Sequence, residues 1–320
     1  MKVLVTGGAG FIGSSVVDAL LTDGYSVVAI DNFDEFYDPD IKRDNLANAI
    51  QNDQFELVEG DIRNVKNLEE CFSKDIDLVI HLAARAGVRP SIEQPILYYD
   101  VNINGTLNLL ETMRKHECKQ LLFASSSSVY GNNEEVPFSE SDPVDHPISP
   151  YAASKKAGEL LCYTYHHLHN FNIFCFRYFT VYGPRQRPEM AIHAFTRNIM
   201  NGLPINMFGD GSSQRDYTYI DDIVSGVMNA IPRLKGYEVL NLGESQTIKL
   251  KDLITLIQEA TGKEAIIEQL PQQPGDVDIT FADISKAKAL LEYNPQFPVE
   301  EGIRRFVEWY HIQLAMSNEQ

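Results

Sequence analysis

A strand, a glycine-rich turn and a helix open this chain, and no other stretch constrains its fold as strongly. Val3-Leu4-Val5 runs into Thr6-Gly7-Gly8-Ala9-Gly10-Phe11-Ile12-Gly13, and a helical pattern follows over Phe11–Asp23. Gly7, Gly10 and Gly13 stand where a backbone must approach a pyrophosphate closely, with Phe11 and Ile12 beside them. The helix start then faces the phosphate charge. Taken alone, a glycine triplet also fits a plain strand-to-helix turn. The second apolar run, Ser26–Asp31, ends in an acid 18 residues after Gly13, where a carboxylate can bond both ribose hydroxyls and repel a 2′-phosphate. Together the two signals predict NAD rather than NADP, with Asn32 next to the ribose site.

Further short apolar runs at Phe55–Glu59, Leu78–His81, Gln120–Ser125 and Asn172–Arg177 alternate with helical stretches such as Ser91–Met113 and Tyr151–His169. The runs are rich in Val, Ile, Leu and Phe without clean alternation, as expected of strands covered on both faces. The layout predicts an α/β fold, a Rossmann-type doubly wound parallel sheet. Asp61 and Ile62 follow the third strand, and Leu82, Ala83, Ala84 and Arg85 follow the fourth, where small residues leave room for a flat cofactor. After Thr180 the texture changes, with prolines at 184, 188, 204, 271, 274, 295 and 298 breaking up shorter elements. We expect a NAD-binding lobe over residues 1–180 with a return segment at 216–243. A smaller α/β substrate-binding lobe is expected over 181–215 and 244–320.

Tyr151 and Lys155 are one helical turn apart, so a helix opening at Ser149-Pro150 would place both in one pocket. A phenol with an ordinary pKa of about 10 is a poor base at neutral pH, and a nearby ammonium favours the phenolate. Such a pair also recurs by chance on helix surfaces, so context carries the assignment. Here the context is the run Ser125-Ser126-Ser127-Ser128-Val129-Tyr130-Gly131 at the end of the fifth strand.

The 320 residues are 44% apolar and 22% charged, with a formal net charge of -18, which argues against broad binding to nucleic acid or an anionic membrane. An anionic ligand would need a local arginine or lysine cluster. Cys71, Cys118, Cys162 and Cys175 are widely spaced, so neither disulfides nor a metal site is expected. His166, His167 and His169 fall on different helix faces without suitable carboxylates, and a partly exposed helix explains them. Met1-Lys2 leads straight into a strand, unlike a signal peptide, and no apolar run approaches membrane-spanning length. A cytoplasmic protein is expected.

The glycine pattern, Asp31, His81-Leu82-Ala83-Ala84, the serine run with Val129-Tyr130-Gly131, Tyr151 with Lys155, and Arg177-Tyr178-Phe179-Thr180 together resemble the extended short-chain dehydrogenase/reductase family acting on nucleotide sugars. The resemblance runs along almost the whole chain. Within that family it is most similar to the UDP-glucuronate 4-epimerases. This narrower match rests on Asp31-Asn32-Phe33 leading to Tyr37-Asp38-Pro39, on Ala86-Gly87-Val88-Arg89, on Gly183 through Ala191, and on Arg215-Asp216-Tyr217-Thr218-Tyr219. The resemblance implies tightly bound NAD regenerated at each turnover, with Tyr178 among its contacts. It implies Ser126 as catalytic hydroxyl, Tyr151 as base and Lys155 as the ribose-binding lysine. Arg187, with Ser127, Ser128 and Thr180, would hold the sugar carboxylate, and Arg89 and Arg185 are expected among the other substrate-binding residues. Arg215 and Asp276 would contact the nucleotide, and Gln273 stands where some epimerases carry Arg. A homodimer through the helices at 91–113 and 151–169 is the family's usual mode, although packing within one chain explains their apolar stripes equally.

Inverting a sugar carbon that bears only H and OH requires its C–H bond to break, which hydride transfer to NAD accomplishes. Rival activities sharing that first step are a UDP-glucuronate decarboxylase and a 4,6-dehydratase. In both, the resemblance calls for an acid just before Val-Tyr-Gly, and Ser127 and Ser128 stand there instead. A UDP-glucose or UDP-N-acetylglucosamine 4-epimerase is closer, and Thr180 with Arg187 favours the uronate. A silent NAD-binding regulator would be expected to have lost Tyr151 or Lys155. Such an epimerase would serve carbohydrate metabolism by making a polysaccharide precursor.

Overall fold

A computed structural model describes residues 1–271 and 277–318. Six strands come in the order read from sequence: β1 (Lys2–Thr6), β2 (Ser26–Asp31), β3 (Phe55–Glu59), β4 (Leu78–His81), β5 (Gln120–Ser126) and β6 (Asn172–Tyr178). A seventh, Tyr237–Leu242, adds to β6, giving a wholly parallel sheet ordered Tyr237–Leu242, β6, β5, β4, β1, β2, β3. The order reverses between β1 and β4, and ligands of such sheets bind at the carboxyl ends beside that switch point.

Successive strand residues feed two separate cores. Val3, Val5, Val27, Ile80, Leu122 and Phe176 face the helices Phe11–Thr22 and Ile220–Ala230. Leu4, Val28, Val79, Leu121, Phe123 and Ile173 face Val65–Phe72, Thr106–Lys115 and Pro150–His169. Burial on both faces explains the lack of alternation in these runs. The first core continues without a break into the later part of the chain, through Ile205, Leu253 and Phe306.

That later part holds three two-stranded ribbons, Thr180–Tyr182 with Tyr217–Tyr219, Pro204–Phe208 with Ile266–Leu270, and Gln214–Arg215 with Ile248–Lys249. The helices Ala191–Met200, Leu250–Thr261, Ser285–Leu291 and Val299–Asn318 surround them.

The expected helix over Ser91–Met113 is instead four pieces: Val88–Glu93, Pro95–Tyr99, a π-helical turn at Asp100–Gly105, and Thr106–Lys115. Pro95 is the cause of the first break, since it disfavours helical backbone at the residue before it, and Gln94 sits at φ −128°, ψ 51°. No described helix is long and apolar enough to cross a membrane.

Candidate active site

At the switch point the backbone is crowded. Gly7 has φ +70°, and a Cβ there would lie 2.8 Å from the Ala83 nitrogen. A Cβ at Gly13 would lie 2.0 Å from the Gly7 carbonyl oxygen, so the turn closes on its helix only with glycine at both places. No side chain caps the helix that Gly10 starts, and Phe11, Ile12 and Gly13 open their first-turn N–H groups onto a cleft of about 390 Å³. Backbone donors without a side-chain cap, beside a cradle that Cβ atoms would fill, suit a pyrophosphate.

Asp31, at the end of β2, accepts from the Ala9 N–H (3.1 Å) and the Phe33 N–H (2.9 Å). Burial raises its pKa, opposed by these donors and by the Lys42 ammonium. Asn32, Asp61, Ile62, Leu82, Ala83, Ala84 and Arg85 line the same cleft. Asn32 donates to Asp61 at 2.9 Å, and Arg85 pairs with Asp34.

The other end of the cleft holds the acid–base groups. Ser126 ends β5 directly opposite Tyr178 on β6, and its Oγ accepts from the Ser128 N–H at 3.2 Å. The helix Pro150–His169 starts on a Ser149 cap with Pro150 in its first turn, and it carries Tyr151 and Lys155 into the cleft. It lies close to the sheet because a Cβ at Gly158 would stand 2.3 Å from the Phe123 ring. Asn102, in the π-helical turn, donates to the Ser154 hydroxyl (2.9 Å), which donates to the Tyr151 carbonyl (2.7 Å).

The electrostatics differ from the expectation that Lys155 favours the Tyr151 phenolate. Burial raises the Tyr151 pKa, against a hydrogen bond from Ser126 and the Arg187 charge, which both lower it. Burial also brings Lys155 down to about 8. Its ammonium donates to the Ala124 carbonyl at 2.7 Å and lies 6.0 Å from the Tyr151 ring centre.

Ser127, Ser128, Thr180 and Arg187 also line the cleft. The Thr180 N–H donates to the Asp216 carbonyl at 3.1 Å, and Arg187 pairs with Glu189 at 3.3 Å. Arg89, Arg185 and Arg215 are not part of this lining. Arg185 pairs with Asp18 at 2.7 Å, Arg89 lies 4.6 Å over the Phe208 ring, and Arg215 donates to the carbonyls of Gln214 and Asp278. Asp276 and Gln273 fall outside the described residues. Sequence reasoning assigned no role to Phe36, Tyr37 or Lys42, which also line the cleft. Phe36 and Tyr37 lie in a loop and Lys42 in the short helix Pro39–Asn45, and none carries a spacing signal because tertiary contacts bring them to the cleft.

A doubly wound sheet with a glycine turn, a ribose-suited acid and converging Ser, Tyr and Lys side chains defines an α/β enzyme of the dinucleotide-binding class. The chain belongs to the family described as GDP-mannose 4,6 dehydratase, whose pattern matches residues 4–306. It is 47% identical to a UDP-glucuronate 4-epimerase of Thermodesulfobacterium geofontis over 318 residues, covering 98% of each chain. Its structure is similar to that of the Bacillus cereus UDP-glucuronic acid 4-epimerase in complex with UDP-glucuronic acid and NAD. That match has a TM-score of 0.93 and 38% identity, covering 98% of this chain and 100% of the other. It is also similar to the Thermus thermophilus UDP-glucose 4-epimerase in complex with NAD, with a TM-score of 0.89 and 32% identity over 97% and 99% of the two chains.

Proposed function

We propose that this protein is a NAD-dependent isomerase that interconverts UDP-glucuronate and UDP-galacturonate through a transient 4-keto sugar. The observation that carries the reading is the convergence of Ser126, Tyr151, Lys155, Thr180 and Arg187 on a cleft whose opposite wall is the glycine turn with Asp31. The relatives named above support it in both cofactor and sugar.

Gly7, Gly10, Phe11, Ile12 and Gly13 would hold the NAD pyrophosphate, Asp31 the adenosine ribose, and Lys155 the nicotinamide ribose, with Tyr178 beside the ring. Bound NAD supplies reversible hydride acceptance. Tyr151 takes the 4-hydroxyl proton and later returns it, and Ser126 donates to the same oxygen as charge develops. A 4-keto uronate is a β-keto acid, prone to lose carbon dioxide. Arg187, Ser127, Ser128 and Thr180 hold its carboxylate away from the geometry in which that bond breaks. With serines before Val129, no carboxylate stands ready there to divert the keto sugar towards other products.

We place the lobe boundary as residues 1–180 with 216–243 against 181–215 with 244–320, which accords with Tyr237–Leu242 adding to β6. Nucleotide contacts are assigned to Arg215 and to Asp276, and Arg89 and Arg185, which lie outside the cleft lining, would serve as outer substrate contacts. We infer a cytoplasmic homodimer, since Ile96, Leu107, Leu160 and Leu168 are exposed on the helices expected to pair.

Incubating the purified protein with UDP-glucuronate, UDP-glucose and UDP-N-acetylglucosamine separately, with no added NAD, and identifying products by NMR tests the proposal. UDP-galacturonate is the expected product. Conversion of the neutral sugars alone would overturn the substrate, and UDP-xylose would overturn the reaction.

A further inference from the structure

The loop between β2 and the helix Pro39–Asn45 has no part in the proposed reaction, yet its residues line the cleft that the reaction uses. Asp34, Phe36 and Tyr37 line the same cleft as Tyr151, Thr180 and Arg187. The Phe36 ring lies 5.1 Å from the Arg85 guanidinium and 5.7 Å from that of Arg187, so one aromatic side chain serves two cations.

Tyr37 is the group that packing leaves unexplained. Its hydroxyl is buried and has no hydrogen-bond partner among the described residues. Most buried hydroxyls in native structures are paired, and an unpaired one in a cleft wall points to a ligand. The Lys42 ammonium occupies the ring face at 4.7 Å, leaving the hydroxyl end for another contact. Burial raises the Tyr37 pKa against the opposing pull of Arg187, so the phenol keeps its proton and offers a donor. A neutral donor near a guanidinium suits an oxyanion, since it adds a hydrogen bond without a repelling charge.

We propose that the Tyr37 hydroxyl donates to the sugar carboxylate that Arg187 holds, making Tyr37 a uronate-selecting residue supplied by the cofactor half of the chain. This rests on the uronate reading above. A neutral hexose presents a hydroxymethyl group where the uronate has its carboxylate, and it would gain much less from the phenol.

The test is Tyr37→Phe, assayed with UDP-glucuronate, together with bound NAD content and the Ki of UDP as competitive inhibitor. We expect KM for UDP-glucuronate to rise about tenfold, the scale of a lost bond to a charged group, with NAD content and the UDP Ki as in the parent. A parental KM would overturn the proposal. So would a matching loss of UDP affinity, which assigns the hydroxyl to the nucleotide, or loss of bound NAD, which assigns it to the cofactor. If the parent itself does not turn over UDP-glucuronate, the proposed function fails. If the parent does and the variant equals it, only the role of Tyr37 fails.

Discussion

On the cofactor wall, the cleft is lined by Gly7, Gly10 and Gly13 and by the small residues Ala83 and Ala84, at the ends of β1 and β4 and the start of the helix Phe11–Thr22. On the sugar wall, the cleft meets Ser126, Thr180 and Arg187, two of them beyond the central sheet and each in contact with a residue distant in sequence. Thr180 hangs on Asp216, and Arg187 on Glu189 and Phe36. A wall of backbone is specified by local chemistry, and a wall of side chains by the whole fold.

The supports behind the walls differ as well. Behind Ser126, the Glu159 carboxylate takes two bonds from Arg177, both at 2.9 Å, and one from Ser125 at 2.7 Å. Burial opposes ionisation of Glu159, but these partners prevail and hold its pKa below the ordinary value. Removing one side of such a buried pair typically costs about 3–5 kcal/mol. Behind Thr180, Asp216 pairs with no cation among the described residues. It accepts from the N–H groups of Glu244 (2.8 Å), Ser245 (3.0 Å) and Ala282 (3.1 Å), joining three chain segments.

Tyr151 stands where the walls meet, and changing it has the largest expected effect. Tyr151→Phe removes the proton acceptor and leaves the cofactor wall intact. We expect kcat to fall about a thousandfold or more, with bound NAD retained in the absorbance of the purified protein. Near-parental turnover would break the acid–base assignment.

Arg187→Gln tests the sugar wall alone. KM for UDP-glucuronate should rise about 10- to 100-fold, the scale of losing a charge-assisted pair, while NAD content is unchanged. A trace of UDP-pentose should appear in the NMR spectrum, because the keto acid is less restrained. Parental KM with clean epimer would place carboxylate recognition elsewhere.

The same contrast decides what could be read before the fold was known. β1 to β4 have the bounds expected from their apolar runs, since each run is bracketed by a turn, even β3 at the sheet edge, where Glu56 and Glu59 are exposed. Tyr151, Lys155 and Ser126 were legible because one helix turn and one strand end bring them together. The Arg185–Asp18 pair was not legible, since it joins residues 167 positions apart. Tyr37 was seen only as part of a motif and Phe36 not at all, because their place near Arg187 depends on how a loop crosses the cleft.

The smallest expected effect concerns the carboxylates behind Thr180. Burial lifts Asp216 to about 6, against its backbone donors, and lifts Glu244 to about 8, with Asp222 and Asp216 adding to the rise. A raised folded-state pKa means that the protonated form is favoured on folding. The resulting stability is fully present below the ordinary carboxyl range near 4 and is lost as pH rises through 6 and then 8. The melting temperature should therefore decline between pH 5 and 9. Glu244→Gln, which keeps the shape without a charge, should flatten the upper part of that decline and melt a few degrees above the parent at pH 9. Glu159, already ionised beside Arg177, adds no such slope across this window. If Glu244→Gln leaves the pH dependence of melting unchanged, the unpaired acid is not the weak support of the sugar wall, and the contrast with the Arg177 pair loses its energetic basis.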